Sequence, residues 1–374
     1  MIYTLNYVSH PIERVNQVVF VFLQNSIPKG IYSHNLFPEW FIDVLTNSRS
    51  SDGNQSFDEK FEEVYNQIQA LNINRRSDLF REFSDGIDVR SLCSDPAKPV
   101  VLSENYSVAL HRALNKLFKD HFYGVSLNSN KTIQTKLNTS LKEHYISFKN
   151  ENNTGRVCPF CGLHEYAILD GESKDDYDHW LYKAKYPLYA VNFSNLVPMC
   201  DKCNQSGVKG VADVLHNSTT GLRRRSFYPY DKNNGVSVKV TNFTSPGQLS
   251  PIEREKYPYG FFEVGVNAND NSESDQVETW KDVFKISTRY NSYLSQFHND
   301  LKSEFHEDYL QSHPEITLDR DVNKLRQLLF QFKSRLGNPR RKTCVYINAA
   351  YIDFLCRQEN TYLLYSFCNI NLAA

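Results

Sequence analysis

Apolar residues recur at helical spacing through both ends of the chain and lose that rhythm in the middle. From Phe57 to Leu71 they fall at Phe61, Val64, Ile68 and Leu71, three to four apart, which puts them on one face of a helix. Residues 104–122 repeat the pattern at Leu110, Leu114 and Leu117, and Ile133, Leu137 and Leu141 mark a further helix. The unbroken run Val18 to Leu23 is too short to cross a membrane and reads as a buried strand or helix core. The rhythm returns at Val277, Trp280 and Phe284, and continues through Tyr290, Leu294, Phe297, Leu301 and Phe305. Another stripe runs Val322, Leu325, Leu329, Phe332 and Leu336 until Gly337-Asn338-Pro339 ends it, and 345–366 reads as one more helical segment. Between these flanks, Val236–Val240 and Phe261–Val266 alternate apolar and polar residues as half-buried strands do.

Polar stretches punctuate the pattern. Residues 49–55 read as a loop, 150–155 (N-E-N-N-T-G) as a boundary and 267–276 as a linker. The expected fold class is therefore α+β, with mainly helical flanks around a small central module. The expected divisions are a helical N-terminal region over 1–150, the module over 151–235, and short strands followed by helices over 236–374.

Composition narrows the picture only slightly. The 374 residues are 40% hydrophobic and 23% charged, with a net charge of −1. Such a chain has no overall attraction to nucleic acid or an anionic membrane, which disfavours a histone-like binder but leaves local basic patches open. No signal-peptide or membrane-spanning pattern is present, so a cytoplasmic location is expected. The 23 tyrosines and 24 phenylalanines are spread along the whole length and read as packing.

The chemistry is concentrated in the middle. Cys158-Pro-Phe-Cys161-Gly162 and Cys200-Asp-Lys-Cys203 are two Cys-x-x-Cys pairs. Without a secretion signal, such pairing points to a structural Zn2+ bound by all four thiolates, ahead of a disulfide or an iron centre. The glycine after the first pair lets backbone amides approach the sulfurs. Between the pairs lie Asp178-His179 and Asn195, and Asn204 follows the last cysteine directly. Phosphodiester hydrolysis needs a base to activate water and a metal to offset charge on the phosphate. A histidine suits the first role, and Asp178 with Asn204 suits the second. On a regular strand Asp178 and His179 point to opposite faces, so the backbone must bend or the second ligand must come from another element.

The segment Y-D-H-W-L-Y-K-A-K-Y-P-L-Y-A-V-N-F-S-N-L-V-P-M-C-D-K-C-N resembles the HNH, or ββα-metal, endonucleases over about 75 residues, Val157 to Asp231. The resemblance implies a ββα-metal fold. It implies that His179 is the general base, that Asp178 and Asn204 ligate a catalytic Mg2+ or Mn2+, and that Asn195 orients the base. It further implies DNA as substrate, with RNA, including tRNA, not excluded. Relatives with this spelling look like bacterial and phage-defence nucleases, often held inactive by a partner ATPase or sensor. One site cuts one strand, so a double-strand break implies a second protomer, possible in a homodimer, or a second event. Two departures stand out: Tyr182 replaces a usual proline, and Lys209 arrives late in N-Q-S-G-V-K-G.

Basic residues near the module are the expected phosphate contacts: Arg223, Arg224 and Arg225, with Lys183, Lys185 and Lys209. His164 and His216 read as ordinary polar histidines. A competing expectation is a zinc-stapled adaptor that binds nucleic acid or protein without catalysis, although such a module has no need of Asp178, His179 and Asn204.

Overall fold

The computed structural model describes residues 1–47, 55–152, 155–165, 177–232, 235–315 and 320–370. All of the expected 49–55 loop except Gln55 lies outside them. The protein is α+β and mostly helical, with two small antiparallel sheets. No helix among the described residues is long and apolar enough to cross a membrane.

The N-terminal stripes are helices. Val15–Asn25 buries Val15, Val18, Val19, Phe22 and Leu23, which settles the first apolar run as helix core. Phe57–Gln69 starts at a capping box, in which Ser56 accepts from the Glu59 amide and Glu59 from the Ser56 amide. Two stripes depart from simple helices. The expected helix over Ile133–Leu141 is two, Lys131–Leu137 and Leu141–Glu151. Asn138 closes the first in the left-handed region (φ 52), and Ser140 caps the second. In the 104–122 stripe an α-helix, Val108–Leu114, widens into a π-helix over Asn115–Ser126.

The C-terminal half behaves similarly. Ser274–Val283 and Ile286–Phe305 are separate helices because Lys285 adopts φ 52. Part of the expected 267–276 linker is already a helical turn and the start of the first of these helices. Val322–Arg335 forms as expected, and 345–366 divides into Val345–Leu355 and Thr361–Phe367.

β1 (Tyr177–His179) pairs with β2 (Leu196–Pro198), placing Asp178 opposite Val197 and His179 opposite Leu196. β3 (Val236–Thr244) pairs with β4 (Phe261–Ala268), with a bulge between Val240 and Asn242. The outer edge of β4 is closed by the helix Ile286–Phe305: the Phe262 amide donates to Ser295 and the Val264 amide to Asn291. Buried apolar residues from Met1 to Ile370 form one connected core. The first residues join it at the middle of the chain, where the Ile2 amide donates to the Pro159 carbonyl and the Leu5 amide to that of Pro229.

Candidate active site beside a four-cysteine cluster

Cys158, Cys161, Cys200 and Cys203 converge. Their sulfurs lie within 4.8 Å of one another, all four residues are buried, and none forms a disulfide. Cys158–Cys203 and Cys161–Cys200 are each 3.9 Å apart. Four thiolates around one tetrahedral Zn2+ at ~2.3 Å stand ~3.8 Å from each other, so the cluster can hold one structural metal ion such as zinc. Gly162 closes the first turn with φ 66, and the next amide, Leu163, donates to Cys161 Sγ at 3.4 Å. Arg289, a residue the sequence did not single out, donates to Cys203 Sγ at 3.3 Å. Its positive charge offsets part of the thiolate charge. Trp280 donates to the Phe160 carbonyl and Tyr290 to that of Cys161, so the C-terminal helices brace the cluster.

The cluster is mechanically joined to β1. Trp180, directly after His179, packs on the stacked pair Phe160 and Phe284: its ring lies 5.4 Å from Phe160 of the first cysteine turn and 6.0 Å from Phe284. From the other side, the Lys209 amide donates to the Cys203 carbonyl at 3.0 Å, and its side chain reaches β1. Lys209 Nζ lies 2.6 Å from Asp178 Oδ2 and 2.7 Å from the His179 carbonyl oxygen. Burial raises the Asp178 carboxyl above the usual carboxylate range, and the Lys209 ammonium acts against that shift.

His179 Nε2 lies 2.9 Å from the Ala190 carbonyl. A carbonyl only accepts, so Nε2 carries the proton and Nδ1 of the neutral ring keeps a lone pair. Burial, with Lys183 nearby, pushes the imidazole down to about 3, which keeps it neutral at neutral pH. Asn195 does not touch this ring. Its Oδ1 accepts from the Leu181 amide at 2.6 Å, and its Nδ2 donates to the Leu181 and Tyr189 carbonyls, each at 3.1 Å. It therefore clamps the 181–190 loop, which presents Ala190 to His179. Asn195 thus meets the histidine through the backbone of that loop, the orienting role the resemblance implies being an indirect one.

Asp178, His179, Lys183 and Asn204 line a single cavity of about 490 Å³. Asp178 and His179 both line it from β1, and Asn204 joins them from another element, the helix Asp201–Asn204. The far wall of the cavity comes from the N-terminal half, through Tyr123, Gly124 and Asn128. Tyr123 packs edge-on against the His179 ring at 4.3 Å between centres, and Lys183 Nζ sits 4.9 Å from the Tyr123 ring centre. Tyr123 carries no local motif. It sits in the π-helix, a backbone feature that is rare and often found at functional sites.

Most of the expected phosphate contacts are otherwise engaged. Arg223 donates to the carbonyls of Leu215 and Leu92. Arg224 pairs with Asp282 at 2.7 Å, and Arg225 donates to the Ser94 and Ser272 carbonyls. The triplet binds the module to both flanks, and none of the three lines the cavity. Lys185 pairs with Asp213 at 2.6 Å, in a cluster that includes Tyr186 and His216. Lys209 is fully buried on Asp178. Of these six residues only Lys183 lines the cavity. His164 is exposed, as expected of an ordinary loop histidine.

No family model matches the chain, and no curated protein or solved structure matches it. What the site can do follows from its own chemistry. It presents a neutral imidazole with one unprotonated nitrogen, two hard oxygen donors and one lining cation.

Proposed function

We propose that this cavity is the active site of an HNH-type endonuclease that hydrolyses phosphodiester bonds in nucleic acid, with DNA the first candidate substrate. The observation that carries the reading is that Asp178 and His179, adjacent in β1, and Asn204, from the short helix Asp201–Asn204, line one cavity beside a four-cysteine cluster. His179 Nδ1 accepts a proton from the attacking water, and the bond from Nε2–H to Ala190 holds the ring in that tautomer. Lys183 offsets the charge of the incoming phosphate. Asn195 keeps the loop behind the imidazole in place.

The Asp178 carboxylate, through the oxygen that Lys209 does not hold, and the Asn204 amide oxygen would hold a Mg2+ or Mn2+ ion, which typically takes one or two protein oxygens and completes its shell with water and phosphate. When bound, such an ion supplies charge stabilisation at the scissile phosphate and leaving oxygen. Zinc in the cysteine cluster has a separate, structural role. By resemblance, a defence function under the control of a regulatory partner belongs to the same proposal.

The test is nicking of supercoiled plasmid with Mg2+ or Mn2+, comparing the intact chain with His179→Ala. Cleavage lost in the variant, with zinc retained, supports the reading. Cleavage unaffected by the substitution overturns the mechanism. No cleavage by either protein favours the adaptor.

A further inference from the structure

Resting on that reading, we infer that the cavity takes an unpaired, single-stranded stretch of polynucleotide and excludes the intact face of a duplex. Three independent features lead there.

The first is depth. His179 is 3% exposed and Asp178 8% exposed, so the scissile phosphate must enter the cavity to meet them. At about 490 Å³ the space is of small-molecule size, within the ~300–1,000 Å³ typical of ligand pockets. A duplex holds both backbones on a stiff cylinder and cannot push one phosphate into such a recess without unstacking. A flexible single strand can.

The second is charge. Duplex binding draws on several phosphate contacts from lysine and arginine. Here Arg223, Arg224, Arg225, Lys185 and Lys209 are all held by acceptors within the protein. Among the described residues that line the cavity, Lys183 is the one cation. That is enough to guide a single phosphate.

The third is aromatic lining. Tyr182 and Tyr123, both partly exposed, line the cavity together with Lys183, whose ammonium lies over the Tyr123 ring and leaves Tyr182 as the ring offered to a base. Single-strand sites pair a cation that follows the backbone with aromatic rings that stack on unpaired bases. Bases inside a duplex are already stacked and gain nothing from such rings. Tyr182 also stands where the resemblance leads one to expect proline. The substitution that looked like an irregularity of loop shape thus supplies a stacking surface beside the base.

The experiment uses the full chain with Mn2+ and one labelled oligonucleotide, offered as a single strand and annealed to its complement, in deoxyribo and ribo forms. The single strand is expected to be cut at least about tenfold faster than the blunt duplex. Comparing the two sugars identifies which polynucleotide is used. Without divalent ion, Tyr182→Ala is expected to weaken single-strand binding about tenfold, and Tyr182→Phe, which keeps the ring, by less than about twofold. Equal or faster cutting of the duplex overturns the inference while leaving the nuclease reading intact. Binding by Tyr182→Ala that matches the parent protein removes the stacking surface. Failure of the parent protein to cut any of the four substrates, with Mg2+ or Mn2+, defeats the nuclease reading and this inference with it.

Discussion

Lys209 reaches from the turn after the cysteine cluster to Asp178, with 2.6 Å between Nζ and Oδ2, and both side chains are almost wholly withdrawn from water. The same ammonium holds the His179 carbonyl at 2.7 Å. One side chain therefore fixes β1 against the second cysteine turn at Asp178 and His179. This explains the late arrival of the lysine: the intervening turn lets it pass behind the site instead of across its mouth.

Breaking this pair from one side leaves a buried charge unmatched. Lys209→Met is expected to cost about 3–5 kcal/mol. The double variant Lys209→Met with Asp178→Asn should cost at least about 1 kcal/mol less than the sum of the two single changes. Urea unfolding of the four proteins measures the coupling, and strictly additive costs would show that the two groups do not depend on each other.

Arg289 donates to Cys203 Sγ from the helix Ile286–Phe305, so the cysteine cluster leans on a residue outside its own motif. Arg289→Ala is expected to weaken zinc retention by about 10–100-fold, read by competition with a chromophoric chelator. Cys158→Ser should lose the metal altogether and unfold the module, whereas His179→Ala should keep about one zinc per chain. Loss of zinc in His179→Ala would mean that the two sites are not separate.

The partners of the arginine triplet within the protein have a direct consequence. Arg223→Ala removes the donor that faces the carbonyls of Leu92 and Leu215 and should destabilise the fold by about 1–3 kcal/mol. Oligonucleotide affinity, measured at fixed salt on protein shown to be folded, should remain within about twofold of the parent. A large fall in affinity with unchanged stability would return Arg223 to the phosphate-binding role.

Asp213 offers a pH test away from the proposed chemistry. Burial alone would raise its carboxyl, but hydrogen bonds from His216, Lys185 and Tyr186 outweigh burial and hold it below the usual carboxylate range. A depressed folded-state value contributes stability above the unfolded value of about 3.9 and loses it as pH falls through the folded one. Asp213→Asn should therefore be less stable than the parent at neutral pH, and the gap should narrow steadily below about pH 4. Unfolding midpoints across that range decide it; a gap of constant size would remove Asp213 as the source.

Local signals were legible where they depended on neighbours a few residues apart. The helix Phe57–Gln69, the strands β3 and β4, and the two cysteine turns all follow from spacing that fixes which side chains share a face or a turn. Breaks at Asn138 and Lys285 were not legible, because a left-handed residue other than glycine leaves no mark in the apolar rhythm. The candidate site divides the same way. Asp178, His179, Asn195 and Asn204 stand out in the sequence as residue types at telling intervals, and the fold brings three of them to one cavity while Asn195 works from behind.

The sequence by itself determined the cysteine pairs, the Asp-His step and the helical character of both flanks, because spacing and side-chain chemistry are properties of the chain. Only the tertiary structure decided where these charges are engaged. Lys185, Lys209 and the three arginines look alike in the sequence, but each meets an acceptor far away along the chain, and Lys209, the fully buried one, must have one. The same long-range packing brings Tyr123 from the N-terminal half onto His179, more than fifty residues away. No local pattern encodes that contact, because it exists only once the π-helix and β1 share a core.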